Sequence, residues 1–127
     1  MMATDATSIS VVHTVLVVED EEDLREMVRD ALELNGYAVV TATDGRDAMM
    51  KIDGIDRLCL VLLDLLMPGM NGWEFVEALR KRADLASVPV FVHRSAPTSA
   101  PPGATRVLQK PVMFDQLLSV VREYCAS

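Results

Sequence analysis

Residues 60–75, LVLLDLLMPGMNGWEF, decide the fold. The apolar run Leu58 to Leu63 has the length of a strand buried on both faces; it stops on one carboxylate, Asp64, and the turn formers Pro68 and Gly69 follow. A buried strand that ends on an Asp presents it at the strand's carboxyl end. In open parallel α/β sheets, ligands bind at that edge. A second apolar run, Val15 to Val18, ends on the acidic pair Glu19-Asp20 in the same manner. Three carboxylates would then converge on one crevice, where their repulsion is relieved by a cation or by a shifted pKa. A hard divalent metal with oxygen ligands is the simplest relief.

Outward from this stretch, strand and helix signals alternate. Leu24, Met27, Val28, Ala31 and Leu32 recur at helical spacing until Asn35-Gly36 stops them. Tyr37 to Ala42 reads as a strand, Asp44-Gly45 as a turn, and Ala48, Met49 and Ile52 as a short helix ending near Gly54. Beyond Asp64, Phe75, Val76 and Leu79 mark a third helix that ends in the basic run Arg80-Lys81-Arg82, which suits a helix C-terminus. Val88 to Val92 and Ala104 to Leu108 read as two more strands, and Phe114, Leu117, Leu118 and Val121 stripe a final helix. Such alternation implies right-handed crossovers and a parallel sheet with helices on both faces. One interval breaks the rhythm: Pro97, Pro101 and Pro102 leave no room for a crossover helix between the last two strands.

The 127 residues fit a single domain, read as 14–125 after a polar tail over 1–13. No apolar run approaches the roughly 18 residues needed to span a bilayer, and the N-terminus lacks a signal-peptide pattern, so a soluble, cytoplasmic protein without membrane contact is expected. The two cysteines, Cys59 and Cys125, have neither metal-ligand nor redox spacing, and Cys59 reads as a small core residue. With 19 acidic against 12 basic residues, net charge −7, the chain offers no basic stripe for a phosphate backbone; direct nucleic-acid binding is not expected.

Taken together, VLVVEDE followed by LREMV, then TATDGRDAM, VLLDLLMPGMNGWEF and LQKPV resemble the receiver domain of two-component response regulators, which accept a phosphoryl group from a histidine kinase. The resemblance covers Val15 to about Tyr124. It implies a flavodoxin-like α/β fold, a single doubly wound five-stranded parallel sheet in the order 2-1-3-4-5, here with the fourth crossover helix missing or replaced by a Pro-rich loop. It also implies that Asp64 is the phosphoacceptor and that Mg²⁺, or Mn²⁺ in its place, is held by Glu19, Asp20, Asp64 and the backbone carbonyl of Leu66. Lys110, in the Lys-Pro motif, would pair with the phosphoryl group. These residue types suit the chemistry: a carboxylate attacking a phosphohistidine brings anion toward anion, so the site needs neutralising charge and little else. The implied partners are a histidine kinase or phosphotransfer protein and a downstream protein target, and the chain would be no enzyme beyond its own phosphorylation and slow dephosphorylation.

The chain departs from the family pattern at the switch. Counting from Pro89 in the usual register puts Arg94 at the switch position, while sliding one residue gives Ser95-Ala96, the usual hydroxyl-plus-small pair; Ser95 is taken as the switch hydroxyl. Val107 stands where an aromatic residue often does. The missing helix would leave one face of the last two strands to be covered by the Pro-rich loop or by a second copy, so that edge is expected either to be mobile or to form an unusual homodimer. Two alternatives stand beside the phosphoacceptor. One is a pseudo-receiver that binds proteins without phosphorylation. The other is a phosphohydrolase, disfavoured because Leu66 occupies the place of the general acid two residues after the nucleophile. An apolar Leu66 cannot orient a hydrolytic water, so the phosphorylated form should lose its label slowly; a lifetime of seconds in a mass-resolved decay would refute this.

Overall fold

The computed structural model describes residues 13–64, 72–94, 104–109 and 114–125. Along the chain run β1 (Thr14–Val18), α1 (Glu22–Leu34), β2 (Ala38–Ala42), α2 (Gly45–Ile52), β3 (Leu58–Asp64), α3 (Gly72–Arg80), β4 (Val90–Arg94), β5 (Arg106–Gln109) and α4 (Phe114–Cys125). Every strand pairing is parallel, and the sheet order is β2-β1-β3-β4-β5.

The central strands read as unbroken apolar runs because both of their faces are covered. On one face Leu16, Val18, Val61, Leu63, Val90 and Val92 pack with Ala48 and Ile52 of α2 and Phe75, Val76 and Leu79 of α3. On the other, Val15, Val17, Leu60, Leu62 and Phe91 meet Val28 and Leu32 of α1 and Leu117, Val120, Val121 and Cys125 of α4. Met27, which shares the spacing of the α1 stripe, is half exposed instead.

The β1–β3 ladder contains a bulge. Thr14 pairs with Leu58 but Val15 pairs with Leu60, so Cys59 is the extra residue of β3. Its side chain packs on the same face as that of Leu60, whereas Leu58 packs on the other. Cys59 is also disulfide-bonded to Cys125. The expectation of a plain core cysteine is therefore corrected: the final helix returns across the sheet and closes a separation of 66 residues that sequence spacing could not reveal.

Local chemistry sets the helix ends. At the end of α1, Gly36 has φ of 92°, a left-handed conformation that glycine adopts without strain. Asp44-Gly45 is the start of α2 rather than a turn: the Asp44 carboxylate accepts the Asp47 N–H at 2.8 Å, and Asp47 in return accepts the Thr43 N–H at 3.0 Å. The Thr43 hydrogen bond, with further help from Lys51, holds the Asp47 carboxyl below its ordinary range. A lowered folded-state pKa stabilises above the unfolded pKa, and the contribution is lost as pH falls through the folded value. Asp47→Asn should therefore lower the urea midpoint near neutral pH, with the gap from the parent protein closing below about pH 4. An equal gap at both pH values would count against this ion pair and cap.

The third helix ends at Arg80, the first residue of the basic run, as expected. Arg80 Nη1 lies 3.3, 3.0 and 2.7 Å from the carbonyl oxygens of Leu85, Ala86 and Val88, fastening the connection to β4. Burial lowers its pKa, though a guanidinium stays charged. Arg80→Ala should cost about 1–3 kcal/mol in urea unfolding, because partly buried carbonyls lose a charged donor.

The fourth strand begins at Val90, two residues later than its apolar run suggests. The Val88 N–H is spent on Leu85 O at 3.2 Å within the preceding turn, and Pro89 has no N–H to give. The fifth strand is shifted likewise, since Thr105 is engaged before it: its N–H donates to Val90 O at 2.7 Å and its hydroxyl accepts the Val90 N–H at 3.0 Å. Val90, Phe91 and Val92 are fully buried within a single chain, so β4 needs no second copy to cover it. Of the expected tail over 1–13, residues 1–12 fall outside the described residues, as does the expected loss of a crossover helix over 95–103; His13 itself accepts the Ala38 N–H at 3.1 Å. Among the described residues, no helix is long and apolar enough to cross a membrane.

Candidate functional site

Because every strand is parallel, all five carboxyl ends lie along one edge of the sheet. The strands β1 and β3 are neighbours there, with Val18 paired to Leu63, so the same register carried one residue further sets Glu19 beside Asp64. Asp64 is the last residue of β3 and pairs with His93 of β4. Residues 45 positions apart in sequence thus come to one place through strand register alone.

Glu19 continues the line of β1, its N–H donating to Ala42 O at 3.0 Å. It is 4% exposed, whereas Asp20 is exposed. A buried carboxylate needs compensation. Part of it is local: Glu19 Oε2 accepts the Glu21 N–H at 3.3 Å. Arg25 Nη1, from the first turns of α1, donates to the Glu19 carbonyl oxygen at 3.0 Å and brings a positive charge over the acidic segment. Arg25 was not singled out by the sequence; its only signal is an arginine six residues past a strand-ending Glu. Glu22 and Asp23 occupy the first turn of α1, where the helix dipole favours acidic residues, and need no other role.

A buried and an exposed carboxylate side by side at a strand end form an all-oxygen donor set of the kind a hard divalent cation takes, so the described part of the site fits Mg²⁺. Among the described residues no group of three or more His, Cys, Asp or Glu is gathered to hold a metal ion. The side chain of Asp64, together with Leu66, Ser95 and Lys110, lies outside the described residues. Arg94 is the last residue of β4 and pairs with Gln109, the last of β5; these immediately precede Ser95 and Lys110 in sequence.

Residues 15–122 match the family described as Response regulator receiver domain. The chain belongs to this family. Among curated relatives, the response regulator MprA of Mycolicibacterium vanbaalenii is 36% identical over 112 residues, covering 85% of this chain and 48% of that protein. The transcriptional regulatory protein HprR of Escherichia coli is 31% identical over 111 residues, covering 85% of this chain and 49% of the relative. The receiver thus spans about half the length of such relatives. Among solved structures, the chemotaxis protein CheY4 of Vibrio cholerae superposes with a TM-score of 0.79 at 32% identity, covering 89% of this chain and 98% of that one. The receiver fold of a two-component response regulator accounts for the parallel sheet, the helices on both faces and the acidic carboxyl edge.

Proposed function

We propose that this receiver takes a phosphoryl group from a phosphohistidine of a histidine kinase or phosphotransfer protein onto Asp64 in a Mg²⁺-dependent reaction. A phosphorylation-dependent contact with another protein would carry the signal onward. The observation that supports this best is the register that sets Glu19 beside Asp64 at the carboxyl edge, with Asp20 next in line.

In this reading an Asp64 carboxylate oxygen attacks phosphorus, the N–P bond to the donor imidazole breaks, and the imidazole leaves with the electron pair. Glu19, Asp20, Asp64 and the carbonyl of Leu66 would hold Mg²⁺, or Mn²⁺; when bound, the ion neutralises charge on the phosphoryl oxygens. Arg25 positions the Glu19 segment through its carbonyl. Lys110 supplies a point charge to the phosphoryl group, and the Ser95 hydroxyl donates to a phosphoryl oxygen once it is in place. The chain turns over no substrate other than itself, so it is a signalling domain rather than an enzyme, and it works in the cytoplasm beside its kinase.

Relatives named as transcriptional regulators exceed this receiver in length, and its net charge of −7 gives it no basic face for DNA. Contact with nucleic acid would therefore fall to segments other than this receiver, which itself contacts protein. Because one chain already covers β4, a homodimer through the edge lacking the fourth helix would have to form without β4 as its buried surface; light scattering with and without beryllofluoride reads it.

The end of β4 at Arg94 favours one alternative, a pseudo-receiver that binds protein without phosphorylation. The deciding experiment is intact mass after incubation with acetyl phosphate, with and without Mg²⁺. One phosphoryl adduct that requires Mg²⁺ supports the phosphoacceptor. If no adduct forms and beryllofluoride with Mg²⁺ does not bind either, the pseudo-receiver takes its place.

A further inference from the structure

Cys59 and Cys125 are the only cysteines of the chain, and the fold brings their Cα atoms to 5.4 Å across the interface between β3 and α4. Each occupies an unusual place. Cys59 is the bulge residue of β3, outside the regular ladder, and Cys125 is the last residue of α4, 3% exposed. Cys59 Sγ also lies 3.4 Å from the Thr14 carbonyl oxygen, to which a disulfide sulfur has no proton to donate but a thiol does. The same pocket therefore suits both oxidation states of Cys59. The end of a helix is the cheapest part of it to open, and the bond joins that end to an interior strand.

We propose that Cys59 and Cys125 form a reversible redox site whose disulfide clamps the last turn of α4 onto β3, and that a dithiol reductant of the Cys-X-X-Cys class releases it. A thiolate of the reductant attacks the sulfur of Cys59, a half-buried residue, the Cys59–Cys125 bond breaks, and Cys125 leaves as a thiolate that takes a proton. The second thiol of the reductant then resolves the mixed disulfide, freeing Cys59 as a thiol that donates to Thr14 O. Two electrons and two protons pass to the receiver, and the reductant is left as its own disulfide. A Cys125 thiolate at a buried helix C-terminus is electrostatically disfavoured, so exchange proceeds through fraying of the last turn. Glutathione and thioredoxin systems keep most cytosolic thiols reduced, and disulfides that form there are typically transient or sensing.

Cys59 precedes Asp64 by five residues, roughly 16 Å along the strand, so the clamp acts on α4 and leaves the carboxyl edge untouched. The proposal is therefore independent of the phosphoryl reading.

The test uses the whole chain equilibrated in oxidised and reduced dithiothreitol without denaturant, trapped by alkylation and read by intact mass, Tm and hydrogen exchange. The expected result is an intramolecular disulfide in the oxidised buffer and two alkylated thiols in the reduced one. On reduction, Tm should fall by on the order of 10 °C and exchange should quicken at residues 121–125, all reversed on reoxidation. Labelling by acetyl phosphate, where present, should be equal in both states. Cys125→Ser, or Cys59→Ser if the first does not fold, should lose the redox dependence of Tm. Two alkylated thiols in the oxidised buffer, a bond between two chains, or reduction only in denaturant would each overturn the proposal.

Discussion

Asp64→Asn should abolish the phosphoryl adduct while leaving the protein as stable as its parent or slightly more so. Asn keeps the shape of Asp but is no nucleophile toward phosphorus. The register also sets position 64 beside a carboxylate that is 4% exposed, and removing one of two neighbouring negative charges relieves repulsion. The pairing of lost chemistry with unchanged or raised Tm is the informative part, because a merely structural aspartate would lower both. Asp20→Asn should instead keep the nucleophile and weaken Mg²⁺ dependence at least about tenfold, the scale seen when groups around a metal are altered. Intact mass across a Mg²⁺ titration, with thermal melts on the same samples, reads both effects. An adduct persisting in Asp64→Asn would move the phosphoacceptor elsewhere.

Phe91→Ala should be the most damaging single truncation. Phe91 has no exposed surface, lies on β4 between the sheet and α4, and meets Tyr124 edge to face, with ring centroids 4.9 Å apart and planes at 84°. Phe to Ala in a closed core costs about 3–5 kcal/mol through lost transfer energy and the cavity left behind. The loss of the aromatic pair adds about 0.5–1.5 kcal/mol. Against a total stability of roughly 5–15 kcal/mol for a domain, this would leave the variant close to unfolding at physiological temperature. Phe91→Leu should recover most of the loss. Urea denaturation with an unchanged slope measures the difference, and a cost below about 1.5 kcal/mol would mean that the α4 side of the core collapses around the gap.

Much of the fold was legible because the central strands must be apolar on both faces. The runs ending at Val18 and Leu63 advertise doubly covered strands, and the helical stripes of Phe75, Val76 and Leu79 or Leu117 and Val121 point to the faces that cover them. The carboxyl edge was legible for the same reason, since a carboxylate after such a run has nowhere to sit but the strand end. Short-range competition for hydrogen bonds stayed hidden. Val88 looks like strand but gives its N–H to a turn, and Asp44-Gly45 looks like a turn but caps a helix. Long-range events stayed hidden as well. In LCLVLL every residue is apolar, so the pattern cannot show where a bulge changes the facing of the strand, nor that Cys59 would find Cys125.

That bulge has a consequence for how the chain tolerates change in length. Before Cys59, even-numbered residues of β3 face the α2–α3 side; after it they face the α1–α4 side. The strand thus carries one residue of slack, stored at its beginning, far from the acidic edge. Removing Cys59 would draw that slack in and restore a regular ladder with Leu60 to Asp64 still opposite Val15 to Glu19. Removing a residue between Leu60 and Leu63 would use up the same slack, keeping Asp64 opposite Glu19 but turning the residues between Cys59 and the deletion to the other face of the sheet. The bulge is therefore where β3 could lose a residue with no change of facing along Leu60 to Leu63 and none at the acidic edge.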